Sequence, residues 1–348
     1  MKLLHTSTVE TSLYCWRDLK AKLAAKEPIP EEGQYLIYRI PGLVEAPNGD
    51  LLAYFECRTG GDWSAIDIGM RRSTDGGRSW SDREILATGR GRATTNNPVM
   101  IVDGDRVHLL YCENYKRLFH RVSLDCGPSW SEPIELTAQV DATAAFFWSC
   151  LAVGPGHGIR TESGRLIVPI WFACNALDIY SHQPSLLATL YSDDGGETWQ
   201  VSAPLTGEDI PNPNESALVQ LPDGNLLMSI RNENEHMLRA FAVSDDDGTS
   251  FSNMALDPTL PDPICQGSVC AKGDGILLTN CNSQIKEERD HLTLRYRDAN
   301  STPIDVLELN STGGYSDICY SAKKDRAYVL YECDNYRYMR LAEVSFEK

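Results

Sequence analysis

One pattern, Ser-x-Asp-x-Gly-x-x-aromatic, occurs four times in this 348-residue chain and limits its fold more than any other feature. It reads STDGGRSW from Ser73 to Trp80, SLDCGPSW from Ser123 to Trp130, SDDGGETW from Ser192 to Trp199 and SDDDGTSF from Ser244 to Phe251. The starting serines lie 50, 69 and 52 residues apart, a repeat with one insertion. Strand-like segments flank the copies, such as IDIGMRRS before the first and ATLYS before the third, so each copy is expected to turn a hairpin. Glycine supplies a positive φ, the aspartate and serine side chains tie up turn amides, and the aromatic fills the gap between neighbouring sheets. A single small sheet leaves both faces wet, whereas blades stacked radially bury one another. The repeat spacing leaves room for six such blades after a short leader, so the expected fold is all-β: a six-bladed β-propeller.

Between the repeats, further hairpin signals recur at 47–50 (PNGD), 103–105 (DGD), 162–165 (ESGR) and 222–225 (PDGN), each followed by an apolar strand. The convincing helical stretch is 11–25, with Leu13, Trp16, Leu19 and Leu23 on one face. The expected organisation is an N-terminal extension, 1–34, carrying this helix and packed on the propeller, followed by a single catalytic propeller domain, 35–348.

A formal net charge of −17 opposes nucleic acid as a partner, because phosphate binding needs a basic footprint. An anionic substrate has to be drawn by a dense local cluster of cations working against this field. The eleven cysteines show no C-x-x-C pair or zinc-finger spacing, which points to reduced thiols. The N-terminus has too short an apolar stretch for a signal peptide, and no run long enough to span a membrane occurs, so a soluble, cytoplasmic protein without a membrane partner is expected.

The four turns resemble the Asp boxes of bacterial and animal sialidases, and YRIPGLVEAPNGDLLAYFECR at 38–58 resembles the Arg-Ile-Pro opening of that family. Asp boxes also occur in propellers without glycosidase activity, so the functional weight rests on the other motifs. The resemblance implies an exo-sialidase that removes a terminal sialic acid from a sialylated oligosaccharide or glycoconjugate, with no cofactor. A sialic acid bears a carboxylate on its anomeric carbon, and arginine binds a carboxylate through a planar fork. The family uses three arginines, which map to Arg39 in YRIP, Arg231 in SIRNE and Arg289 in ERDHLTLR, with Arg295 and Arg297 close to the last. The family nucleophile is a tyrosine, since a carboxylate would approach the anionic substrate against repulsion; Tyr315 in GGYSD takes that place. Its base is implied to be Glu215, sixteen residues before Arg231. The acid/base is assigned to Asp62, four positions beyond Arg58 at the strand end Glu56-Cys57-Arg58, with Asp67 as the rival.

Glu332 in VLYECDNY resembles the glutamate that holds the first arginine. Further candidates for the substrate pocket are Arg58, Asn97 within Asn96-Asn97-Pro98, and Trp148 and His157 in the loop WSCLAVGPGHGI. No metal site is expected, because no H-x-x-x-H or EF-hand pattern occurs. Two other readings remain open from sequence: a propeller glycosidase for a different acidic sugar, and a non-catalytic Asp-box propeller that binds glycans.

Overall fold

A computed structural model describes residues 1–27, 34–89, 93–205, 210–298 and 303–346. Six antiparallel sheets follow one another along the chain as the blades of a propeller, with two short helices outside them. Blade 1 runs through Ile37–Glu45, Leu51–Arg58, Ile66–Ser73 and Glu84–Thr88. Blade 2 comprises Thr95–Asp103, Arg106–Glu113, Arg117–Ser123 and Ile134–Glu135, with Gly156–His157 added in parallel to its first strand. Blade 3 is Cys150–Val153, Leu166–Ala173, Ser185–Ser192 and Gln200–Val201, and blade 4 is Ser216–Gln220, Leu226–Ile230, Leu238–Ser244 and Ala255–Pro261. Blade 5 consists of Ser268–Lys272, Gly275–Cys281, Asp290–Arg297 and Pro303–Thr312.

The last blade takes Ser316–Ser321, Arg326–Cys333 and Tyr338–Ser345 from the C-terminal end and Lys2–Thr11 from the N-terminal end. This corrects the expected boundary at residue 34. Three C-terminal strands leave an open edge, and the first strand pairs with it, from Lys2 opposite Ser345 to Thr11 opposite Tyr338. Among the described residues of the leader, 12–27, which carry the helix, lie outside the sheets. That helix is Trp16–Ala25; Leu19 is buried against Leu36, Ile37 and Tyr336, while Leu13 and Leu23 of the expected apolar face are exposed. A second helix, Thr137–Thr143, was not expected; its Thr143 Oγ1 and Gln139 Oε1 accept from the amides of Val201 and Trp199 in blade 3.

All four repeats turn between the third and fourth strands of blades 1 to 4, and all close the same way. Ser73 Oγ donates to Asp75 Oδ1 at 2.8 Å and accepts from Gly77 N at 2.8 Å, while Asp75 Oδ1 accepts from the amides of Arg78 and Ser79. Each turn docks on the preceding blade. Trp80 Nε1 donates to Ser7 Oγ of the N-terminal strand, and the glycines of the next three boxes face Leu52, the His108 and His120 rings, and Ile167 in turn.

Candidate active site

The site lies at the edge away from these turns, where loops between second and third strands meet residues at the inner-strand ends. Its first element is a bulge in the inner strand of blade 1: the ladder with the second strand slips between Arg39 and Gly42, and Ile40 adopts φ 59°. A bulge re-aims side chains. Arg39 thereby faces Glu332 of blade 6, which accepts from Arg39 Nε at 2.7 Å and Nη2 at 3.2 Å. The same carboxylate accepts from the amides of Ile40 and Tyr315, both at 2.9 Å, so a fully buried charge has four donors.

Tyr315 enters just before the inner strand of blade 6. The guanidinium carbons of Arg39, Arg231 and Arg289 stand 5.0, 5.8 and 5.1 Å from its ring centre, so three cations expected from sequence converge on one phenol. Arg231 and Glu215 are neighbours across the first and second strands of blade 4, which is the structural meaning of their spacing. Arg231 Nη1 donates to Tyr315 Oη at 2.6 Å and also to Glu215, and the Tyr315 hydroxyl donates to the same Glu215 oxygen. Burial pushes the Tyr315 phenol well above its ordinary value, Arg231 and the other two arginines pull against this, and Glu215 adds to the rise. Arg289 donates to Tyr336 Oη at 3.0 Å, and the Tyr336 ring lies 3.9 Å from the Arg39 guanidinium.

Across the pocket, Arg58 bridges buried Glu56 and Asp62, donating to Asp62 Oδ1 at 2.6 Å. The Asp62 side chain is 55% exposed, and Arg58 pulls its pKa down to about 2 against the effect of burial. Asp67, the rival, sits in the third strand of blade 1, held by the Tyr35 hydroxyl and Gly89 amide outside the pocket. Asn97 occupies a second bulge, at φ 51°, with its amide on Glu56.

These groups line a cavity of about 270 Å³ that holds Arg39, Arg58, Arg231 and Arg289 against Asp62, Glu215 and Glu233. A net positive lining in a chain of charge −17 is the dense cluster that an anionic ligand requires. A larger apolar groove of about 760 Å³ lies between blades 4 and 5, lined by Leu227, Phe241 and Ile276, far from these convergent charges.

Two expected residues are placed elsewhere. Trp148 packs near Phe172 in the blade 3 core, and His157 Nδ1 pairs with Asp317 at 2.8 Å; neither lines the pocket. Asp317 also accepts from Leu43 N and Ser268 Oγ, so His157 belongs to a buried knot tying blades 1, 2, 5 and 6 together. Burial opposes a charged His157, but Asp317 outweighs it and raises the pKa.

The sequence reading missed Tyr115, Trp171 and His182, which form the wall facing the arginines, and Tyr336. A signal for two of them exists. The segments ENYK at 113–116 and DNYR at 334–337 both turn through left-handed residues, Asn114 and Tyr115 at 54° and 53°, Asn335 and Tyr336 at 53° and 64°. Asparagine tolerates that conformation, and the turn throws the tyrosine inward.

A family model described as BNR repeat-like domain matches residues 47–323. Sialidase-3 of Mus musculus is 35% identical over 274 residues, covering 69% of this chain and 63% of its own length. The sialidase of Paraclostridium sordellii is 29% identical over 358 residues, covering 88% of this chain and 84% of the relative. The chain thus spans less than two thirds of the mouse protein. Among solved structures, Hadza microbial sialidase Hz136 superposes with a TM-score of 0.77 at 24% identity, covering 90% of this chain and 66% of that one, which establishes a shared fold. With its repeats, six blades and the 47–323 match in agreement, this chain belongs to the BNR repeat-like domain family, alongside relatives named sialidases.

Proposed function

We propose that this protein is a retaining exo-α-sialidase that hydrolyses terminal sialic acid, or a close nonulosonic acid, from sialylated glycoconjugates through Tyr315. The observation that carries the reading is the packing of three guanidiniums around one buried phenol already hydrogen-bonded to a carboxylate. Relatives named sialidase and exo-alpha-sialidase support it. The arginines bind the substrate carboxylate, which places the anomeric carbon above Tyr315. A neutral phenol approaches this anionic centre without the repulsion a carboxylate would meet, and Glu215 takes its proton as the tyrosyl–carbon bond forms.

Asp62 protonates the departing glycosidic oxygen as that bond breaks. In the second step Asp62 removes a proton from water, the oxygen attacks the anomeric carbon, and Tyr315 leaves as phenol with the proton returned by Glu215. Asp62 is held ionised by Arg58 in the free protein, so acid catalysis requires the loop after Arg58 to lift the carboxylate from that guanidinium. Gly60 and Gly61 give this loop the freedom to do so. The eleven free thiols support a reducing, cytoplasmic setting.

The test uses 4-methylumbelliferyl α-glycosides of N-acetylneuraminic acid and its deaminated analogue. Wild-type protein should release the fluorophore with retention at the anomeric carbon, and Tyr315→Phe should lower kcat by about a thousandfold or more. Absence of turnover on both substrates, or an unaffected Tyr315→Phe enzyme, sinks the reading.

A further inference from the structure

The pocket has two unlike sides. Arg39, Arg231, Arg289 and Tyr315 come from blades 1, 4, 5 and 6, whereas Asn97 and Tyr115 come from blade 2 and Trp171 and His182 from blade 3. In a six-membered nonulosonic acid ring, C2 carries the carboxylate and reacts, and the atom across the ring is C5. A carboxylate on the arginines therefore turns the C5 substituent towards the wall of blades 2 and 3. Members of this sugar class differ at C5, where they bear a hydroxyl, an acetamido or a glycolylamido group.

Three side-chain nitrogens of that wall are buried and have no hydrogen-bond partner among the described residues: Asn97 Nδ2, Trp171 Nε1 and His182 Nε2. Asn97 and Trp171 are only 3% and 4% exposed, so water does not reach them freely. Buried polar groups are ordinarily paired, and an orphan set beside a cavity, with two donors in Asn97 Nδ2 and Trp171 Nε1 and a His182 nitrogen that donates or accepts by tautomer, calls for partners supplied by a ligand or by water that the ligand traps. His182 is held in place by ring contacts of 4.6 Å with Tyr115 and 5.2 Å with Trp171, and burial lowers its pKa, which favours the neutral imidazole.

We propose that Asn97, Trp171 and His182 form a specificity wall that selects nonulosonic acids whose C5 arm ends in a hydroxyl over those whose arm ends in a methyl. The proposal rests on the sialidase reading for the placement of the carboxylate. An acetamido group brings one carbonyl acceptor and leads with a methyl, leaving nitrogens unpaired. A glycolylamido group adds a second oxygen at its tip, and a C5 hydroxyl leaves room for a bridging water that accepts from the rest. Sites built to hydrogen-bond a substrate hydroxyl reject analogues that lack it.

The test compares kcat/KM for 4-methylumbelliferyl α-glycosides bearing acetamido, glycolylamido or hydroxyl at C5, and the dissociation constants of the three free acids by calorimetry. At least one hydroxyl-tipped substrate should exceed the acetamido one about tenfold in both measurements, and the arm that leads identifies whether the hydroxyl is on the ring or on the acyl group. His182→Phe and, more conservatively, Trp171→Phe should bring that ratio towards one, with unchanged melting temperatures excluding misfolding. Binding that keeps this order without turnover upholds the wall and sinks only the catalytic reading. Equal affinities for the three acids, absence of binding, or a ratio unmoved in Trp171→Phe and His182→Phe overturns the wall.

Discussion

The two edges of this propeller are built on opposite principles. At the turn edge, each box is closed by hydrogen bonds between residues two to four positions apart, such as Ser73 with Asp75 and Gly77, and the unit is repeated four times. At the pocket, partners come from remote stretches: Arg39 with Glu332 is separated by 293 positions, and Tyr315 with Glu215 by 100. A local turn is fixed by its own chemistry and needs its neighbour only for docking. The pocket exists only when every blade is in register, so its charges report on closure of the whole ring.

This contrast predicts different outcomes for damage at the two edges. The largest is at Glu332, whose removal leaves Arg39 buried without its partner and strips acceptors from the Ile40 and Tyr315 amides. Breaking one side of such a buried pair typically destabilises by about 3–5 kcal/mol. Glu332→Ala should therefore lose both stability, in chemical denaturation, and nearly all turnover. A stable variant with normal kcat/KM would break the comparison, because the pocket would then not depend on the link between blades 6 and 1.

Gly77→Ala tests the other edge. The residue sits at φ 84°, and an added Cβ would lie 2.0 Å from Leu341 Cδ2 of blade 6. Left-handed backbone costs an L-residue about 1–2 kcal/mol, and displacing Leu341 adds to it. A loss of about 2–3 kcal/mol is expected, with kcat/KM of the folded protein unchanged. Equal loss of activity would show that the box and the pocket are coupled after all.

The same contrast explains what the sequence disclosed. The boxes are legible because their residue types and spacing are the structure, and Glu215 and Arg231 are legible because a hairpin keeps them in step across adjacent strands. The N-terminal strand was not. KLLHTSTVET has no strong apolar alternation, only Val9 and Glu10 are buried within it, and the partner that makes it a strand lies at 338–345. Tyr115 and Trp171 escaped because a buried aromatic reads as core until folding shows that one side faces a cavity. Trp148 and His157 were drawn to the pocket by a loop that instead packs Trp148 half-buried against blade 3 and hands His157 to Asp317.

The smallest effect sharpens the comparison by pH. His108 Nδ1 and His120 Nε2 lie 2.9 Å apart beneath the third box, where a Cβ on Gly196 would come within 3.0 Å of the His108 ring. Burial, followed by the repulsion of His108, lowers His120 from 6.5 to about 3, and burial lowers His108 as well. In the unfolded chain both take up protons below pH 6.5, whereas in the folded protein His120 stays neutral until about pH 3 and burial lowers His108 in the same direction, so stability is full above pH 6.5 and falls as the pH drops. Between pH 6.5 and 5 the loss contributed by His120 should be about 1.6 kcal/mol. Denaturation midpoints measured across this range should fall in wild type and fall less steeply in His120→Asn. A slope unchanged by that substitution would place the acid-sensitive contact away from the box, and with it the claim that this edge is held together locally.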